Sequence, residues 1–305
     1  MYAVPSAVPP DPLNTESLNL VPIESLSDPR ASDFANLPDK RLKSGPDRPR
    51  IPEEETPSGL FIAEGELVVR RLIESSYPVK SVLVTPSRLE HMRPALSKLD
   101  PGIPIFLAQP HVVNSIAGFK FHHGVLGCGV RRELPTVEEV LLGATGVAVV
   151  EDITNTDNLS SIFRSVSALE RERPAVLLSP GCCDPLYRKC LRVSMGHALS
   201  VPFGRVPVWP DGLNALTESF RLVALTPDAP DLATLPRDGR PPALLVGTEG
   251  PGLTPGALAQ VRQRASIPMR QGVDSLNVAV AFAIGMHALT GARAGPRHIH
   301  GGTGP

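Results

Sequence analysis

The sequence predicts an α/β protein of two domains, the second built on a mostly parallel sheet covered by helices. Three observations carry that prediction. Short β-branched or apolar runs alternate with helix-like segments from Leu60 almost to the end of the chain, the pattern of strands linked by helices. A chain of 305 residues has room for two buried cores. The two ends differ from the middle, being rich in Pro, Ser, Asp, Glu or Gly and poor in aromatic residues.

Taken in order, residues 1–57 show no sustained periodicity and too little apolar surface to offset the entropy of ordering, so they read as a disordered, Pro-rich extension. FIAEGELVVRRLIES then reads as a helix with Leu67, Val68, Leu72 and Ile73 on one face, VKSVLVTP as a strand, and RLEHMRPALSKL as a second helix. PIFLAQP, HVVNSIAG and HHGVLGCGVRR continue the strand–helix–strand alternation, so residues 58–133 form one small α/β domain. LPTVEEVLLGA is a helical connector, giving a linker at 134–145. Strands recur at GVAVVED, PAVLLSP, FRLVALTP, PALLVGTE and ASIPM across a second domain, 146–294. The tail, 295–305 (GPRHIHGGTGP), reads like the extension.

Composition excludes several classes. With 42% hydrophobic and 20% charged residues the chain is an ordinary soluble protein, and no apolar run reaches the roughly 18 residues of a membrane span. The first residues, MYAVPSAVPPDP, carry neither a basic n-region nor an apolar h-region. The four cysteines, Cys128, Cys182, Cys183 and Cys190, form no ligand-spaced set, which favours a reducing cytoplasm. His122, His123 and Cys128 match no common zinc spacing, so no metal is expected. A net charge of −1 offers no overall basic excess for a nucleic acid, so any such surface must be local. No G-x-S-x-G elbow, P-loop, H-E-x-x-H or G-x-G-x-x-G fingerprint is present.

Three segments concentrate polar residues where strands end and helices begin. In EDITNTDNLSSIFRSV (Glu151–Val166) a strand gives way to a helix that Asn158 or Ser160 can cap, with Arg164 further along it. A capped helix with a solvated Arg explains those residues equally well. In LLVGTEGPGLTP (Leu244–Pro255) a strand runs into glycines, which allow a ligand to lie against bare backbone; an ordinary Gly-rich turn with an exposed Glu249 is the plainer alternative. In IPMRQGVDSLNVAVAFAIGMHAL (Ile267–Leu289) a short strand ends at Pro268, and Ser275, Leu276 and Asn277 open a long apolar helix. Alone, that too is an N-capped helix.

In their order and spacing, these segments resemble the three signature motifs of the SpoU/TrmH family of RNA 2′-O-methyltransferases. The first falls on a pattern close to Asn-Pro-x-Asn-x-Gly-x-x-x-Arg through Asn155, Asn158 and Arg164, with Thr156 and Ser160 replacing Pro and Gly. The second resembles G-N-E-G-x-G-L, with Thr248 for Asn and Glu249 retained. RVSMGHALSVPF (Arg192–Phe203) extends the likeness through the second domain. The first domain is similar to the ribosomal-protein-like substrate-binding domain of many such enzymes, with His122-His123-Gly124-Val125 in place of a His-Gln-Gly segment.

The resemblance implies a SPOUT fold, whose C-terminal chain forms a deep trefoil knot that ordinary topology rules would exclude. It implies S-adenosylmethionine as cofactor, held by backbone near Gly247, Ile267, Met269 and Leu276. It assigns orientation and activation of a ribose 2′-hydroxyl in rRNA or tRNA to Arg164 and Asn158, with Glu249, Ser275 and Asn277 holding loop and ribose. It implies a homodimer acting on structured RNA, with no role for DNA or a membrane. The rival readings are a SPOUT enzyme methylating a base, and a non-catalytic RNA-binding or ribosome-assembly protein of the same fold.

Overall fold

The computed structural model describes residues 18–25, 27–35, 59–117, 124–169, 172–236, 238–248 and 250–290. They fall into two compact units that meet in sequence between Arg132 and Glu133.

The first unit is a mixed five-stranded sheet with three helices. Its elements are β1 (Leu20–Ile23), β2 (Leu60–Glu64), α1 (Glu66–Glu74), β3 (Val79–Val84), α2 (Pro86–Leu96), β4 (Ile105–Ala108), α3 (Pro110–Ala117) and β5 (Val125–Val130). The strand order is β1-β4-β3-β5-β2, parallel from β1 to β3 and antiparallel from β3 to β2.

Two readings of the sequence are corrected in this unit. Part of the extension expected to be disordered is built into the sheet: β1 pairs with β4 from Leu20↔Ile105 to Ile23↔Ala108. A 3-10 turn at Pro29–Phe34 follows, capped by the Asp28 side chain, and buries Ala31 and Phe34 completely or nearly so. Composition averaged over 57 residues hides LNLVPI, six residues apolar enough to cover a sheet edge, where Pro22 is tolerated. The second correction concerns FIAEG. Leu60–Glu64 is a strand paired with β5, and the helix starts only after Gly65, whose φ of +94° breaks the chain direction. His122 and His123 lie outside the described residues.

Phe34 meets Phe106 edge to face at 6.3 Å, beside Ile23, Leu83, Leu126 and Cys128. Phe34→Ala is therefore expected to cost this unit about 3–5 kcal/mol. The Ile105 amide, which donates to Asn19 at 2.8 Å, should then exchange with solvent faster. Unchanged exchange and melting would mean that the segment does not pack in solution.

The second unit is a six-stranded, wholly parallel sheet. It comprises α4 (Val137–Leu141), β6 (Gly146–Val150), α5 (Thr156–Leu169), β7 (Pro174–Leu178), α6 (Arg188–Val193), β8 (Phe203–Arg205), α7 (Asn214–Thr217), β9 (Arg221–Leu225), β10 (Pro242–Val246), α8 (Pro255–Ala259), β11 (Gln263–Ala265) and α9 (Val278–Thr290). The order is β11-β9-β10-β6-β7-β8. β6 and β10 are buried along their whole length, which is why both read as uninterrupted apolar runs rather than alternating ones.

Helices α5 and α9 pack together, and α9 also lies against β10. A separate core cluster joins Val147, Val149 and Leu245 to Leu213, Leu216, Phe220 and Ala257. The segment expected as a linker belongs to that cluster through Val137, Val140 and Ala144, and a Thr136/Glu139 capping box starts α4. The strand read at ASIPM ends at Ala265; Ile267, Pro268 and Met269 follow it without strand structure.

Candidate active site

Because every strand of the second sheet runs the same way, the loops after β6, β10 and β11 leave from one edge, where ligands bind in open α/β sheets. β6 and β10 are neighbours there, with Val150 opposite Val246. All three sequence segments singled out above start from this edge.

After β6 the chain turns at Asp152, held at φ +50°. Ser179 fixes that turn: its hydroxyl accepts the Asp152 N–H at 2.8 Å and donates to the Asp152 carboxylate at 2.5 Å. Asn155, not Asn158 or Ser160, caps α5, its Oδ1 accepting the N–H groups of Asp157 (2.8 Å) and Asn158 (3.3 Å). Asn158 sits in the first turn, only 7% exposed, and its Oδ1 accepts a hydrogen bond from Asn277 Nδ2 at 2.9 Å. Asn277 in turn caps α9, accepting from the Ala279 and Val280 amides at 3.0 and 3.2 Å. One amide pair thus ties the starts of two helices 119 residues apart.

Ser160 is completely buried and donates to the Thr156 carbonyl and to Cys190 O and Sγ, both at 3.1 Å. The small residue at that position therefore serves contact between α5 and α6. Arg164 is exposed. It stands six residues beyond Asn158 and so about 120° around the helix from it. Within one chain the structure joins Asn158 to Asn277 and turns Arg164 to solvent.

The second segment folds back on itself. Thr248 and Gly252 form a bridge, with Gly252 N donating to Thr248 O at 3.2 Å and Thr248 Oγ1 donating to Gly252 O at 3.3 Å. A Cβ on the buried Gly247 would stand 2.5 Å from Gly252 O and 2.8 Å from Leu253 N. The glycine is thus required first by the chain's own backbone. Gly250 and Gly252 take φ of +94° and +71°, with open space where a side chain would project. Glu249 lies outside the described residues.

In the third segment Ile267, Met269 and Leu276 are half-buried, while Ser275 is exposed. Ser266 anchors the strand end before them, donating to Ala229 O at 2.7 Å through its hydroxyl and to Pro230 O at 2.8 Å through its amide. β11 lies two strands from β10, so Gly247 and Ile267 emerge about 10 Å apart along the edge. That span, with apolar side chains at one end and bare backbone at the other, suits a nucleoside-sized ligand.

Three features of this edge escaped the reading of the sequence. Glu151, at the end of β6, is buried and hydrogen-bonded to Trp209 and Thr254. The Asp152–Ser179 lock is the second. The third is Arg205, whose guanidinium donates to the carbonyls of Ser179 (3.0 Å), Pro180 (3.3 Å), Cys182 (3.0 Å) and Cys183 (3.4 Å), holding the loop after β7. An acidic residue ending an apolar strand was the one visible signal. All four cysteines are buried, and burial pushes the Cys128 and Cys190 thiols up to about 12, so both stay protonated. Among the described residues no group of three or more His, Cys, Asp or Glu is placed to hold a metal ion. Nor is any helix among them long and apolar enough to cross a membrane.

Comparison with known proteins bears on the family and the fold. Residues 146–287 match the family model described as the SpoU rRNA Methylase family. A tRNA/rRNA methyltransferase of Mycobacterium tuberculosis, itself named as uncharacterised, is 42% identical over 282 residues, covering 90% of this chain and 92% of its own. The 23S rRNA (guanosine(2553)-2′-O)-methyltransferase RlmP of Bacillus subtilis is 27% identical, over 88% of this chain and 99% of its own. Among solved structures, the AdoMet-bound rRNA methyltransferase of Sinorhizobium meliloti has the same fold, with a TM-score of 0.73 at 21% identity and coverage of 91% and 100%.

Proposed function

The chain belongs to the SpoU/TrmH family of S-adenosylmethionine-dependent RNA methyltransferases, and from that premise we propose that its target is a ribose 2′-hydroxyl of rRNA or tRNA. The observation that carries the reading is the Asn158–Asn277 pair, which unites the first and third motifs at the sheet edge where the second-motif turn also lies. The relative from B. subtilis is named as a 2′-O-methyltransferase of 23S rRNA.

The residues present fit the cofactor. The turn from Gly247 to Leu253 offers backbone donors and acceptors without side chains over Gly250 and Gly252, and Ile267, Met269 and Leu276 supply half-buried backbone and apolar surface. When bound, S-adenosylmethionine supplies an electrophilic methyl group on a sulfonium. The protein's part is to align the ribose oxygen in line with it, which lowers the barrier by removing translational and rotational freedom. Asn158 and Asn277 hold the helix starts and orient the ribose, and the motifs assign Ser275 and Glu249 to holding the loop and ribose. Arg164 stabilises negative charge on the 2′-oxygen while the hydroxyl proton passes to solvent or to a neighbouring RNA phosphate. The C-terminal segment threads this site as the trefoil knot of the SPOUT fold, and the first unit grips the RNA. The site of action is the cytoplasm.

The protein works as a homodimer. Helix α9 leaves Val280 48% and Ile284 43% exposed one turn apart, an apolar stripe on the open face that continues to the exposed His287 and Ala288. Arg164 turns away from Asn158 and Asn277, as it would if it reached the partner's site. Sedimentation equilibrium is expected to give about twice the 32.5 kDa chain mass. Mixing Arg164→Ala and Gly247→Val subunits should restore methyl transfer, because one site of each mixed dimer is then whole. An active monomer would refute the shared site.

The reading is tested by incubating the protein with tritiated S-adenosylmethionine and unmodified rRNA and tRNA transcripts, then hydrolysing the RNA in alkali. A 2′-O-methyl group leaves the adjacent phosphodiester uncut, so the label should appear in resistant dinucleotides. Label in mononucleotides would mean a methylated base. No incorporation and no heat on titration with S-adenosylmethionine would mean a non-catalytic binding protein.

A further inference from the structure

A buried carboxylate stands where three segments of the second unit meet, and the proposed chemistry leaves it without a role. Glu151 directly follows the central strand β6 and is 1% exposed. Its Oε1 accepts hydrogen bonds from Trp209 Nε1 and Thr254 Oγ1, both at 2.7 Å, and its Oε2 accepts from Thr254 N at 2.8 Å. Thr254 Oγ1 itself accepts the Ala257 N–H at 3.2 Å as the cap of α8. Indole and amide N–H groups can only donate, and the hydroxyl, already accepting from Ala257, turns its proton to Glu151. Three donors converge on one carboxylate, and hydrogen bonds to a carboxylate are stronger than those between neutral groups.

What these bonds fasten is specific. The Glu151 amide donates to Val246 O at 2.9 Å, immediately before Gly247. The Glu151 carboxylate holds Thr254, immediately after Leu253. Both ends of the Gly247–Leu253 turn therefore hang on one residue just past the neighbouring strand, one end by backbone and the other by side chain. Trp209 brings in a third segment, whose Pro210 stands 3.4 Å from where a Cβ on Gly256, in α8, would lie.

We propose that Glu151 is the positioning residue of the cofactor site, keeping the Gly247–Leu253 turn closed in the shape that S-adenosylmethionine requires. The proposal rests on the reading of that turn as the cofactor site. The turn is short and glycine-containing, so without the lower anchor its backbone gains freedom that must be lost again on binding. The consequence is weaker cofactor binding with an unaltered chemical step, because Glu151 touches neither reactant.

The test uses the full chain, titrated with S-adenosylmethionine in a calorimeter and assayed on the RNA that the wild type methylates. In Glu151→Gln an amide NH₂ must face one of the three donors. Thr254→Val removes the hydroxyl and leaves the other two bonds, so it keeps the question open should Glu151→Gln fail to fold. Both variants should raise the Kd and KM for S-adenosylmethionine by about tenfold, the effect of one lost hydrogen bond to a carboxylate. The rate at saturating cofactor should stay near that of the wild type. Thr254→Ser, which keeps amide and hydroxyl, should restore wild-type affinity. A role in folding alone would lower the melting temperature and the active fraction but leave KM unmoved, and an unchanged KM in either folded variant overturns the proposal. A wild-type protein that binds no S-adenosylmethionine overturns the reading of the turn instead.

Discussion

Arg164→Ala is expected to slow single-turnover methylation of bound RNA by about 10²–10³-fold, the loss that follows removal of one donor to a developing oxyanion. A ribose 2′-hydroxyl is a weak nucleophile until its proton is taken or its negative charge is stabilised. A guanidinium is a permanent cation, so in the proposed role Arg164 stabilises charge and does not act as a base. Its exposure on α5 leaves it free to meet a substrate, and its displacement around the helix from Asn158 points it away from the amide pair of its own chain. Arg164→Lys should recover only part of the rate, because a point charge cannot engage phosphate and ribose oxygens together as a planar fork does. Affinity for S-adenosylmethionine, titrated separately, should change little, since the proposed cofactor site lies in the second and third motifs. Wild-type turnover in Arg164→Ala would return Arg164 to the status of a solvated helix residue.

Such residues divide cleanly by how far the sequence shows them. β6 and β10 were visible because strands buried on both faces leave continuous apolar runs, GVAVV and PALLV. The start of α9 was visible because capping is local: Asn277 and the amides it accepts from are two and three residues apart. β1 was hidden by the composition around it, since an edge strand of four residues needs only a partner, and that partner, β4, lies more than eighty residues away. The start of α5 was placed late because Asn155 and Asn158 can each cap a helix, and only the backbone geometry decides between them. Ser160 reads in the sequence as a candidate cap of α5, whereas its hydroxyl is absorbed by the Thr156 carbonyl and by Cys190 of α6. Glu151 shows the limit most plainly: its partners Trp209 and Thr254 are 58 and 103 residues distant, and no period or spacing announces a bond between them.

Gly247→Val is expected to abolish binding of S-adenosylmethionine while β10 and its neighbours keep their secondary structure. The strand itself ends at Val246, so the substitution falls just outside the sheet. A Cβ there would stand 2.5 Å from Gly252 O and 2.6 Å from its carbonyl carbon. These are backbone atoms of a turn closed by the Thr248–Gly252 bridge, and they cannot rotate aside as a side chain can. The turn must open, and the branched carbons of valine enlarge the displacement. Gly247→Ala isolates the Cβ and should already weaken the cofactor, on the order of tenfold or more for a strained turn that must reclose on binding. The distinction from Glu151→Gln is one of degree and cause: there the turn loses an anchor but can still close, whereas here closure itself is blocked. Calorimetric titration beside far-ultraviolet circular dichroism separates loss of the site from loss of the fold. Wild-type affinity in Gly247→Val would mean that the ligand does not depend on this turn, and the cofactor site would have to be sought around Ile267 and Leu276 alone.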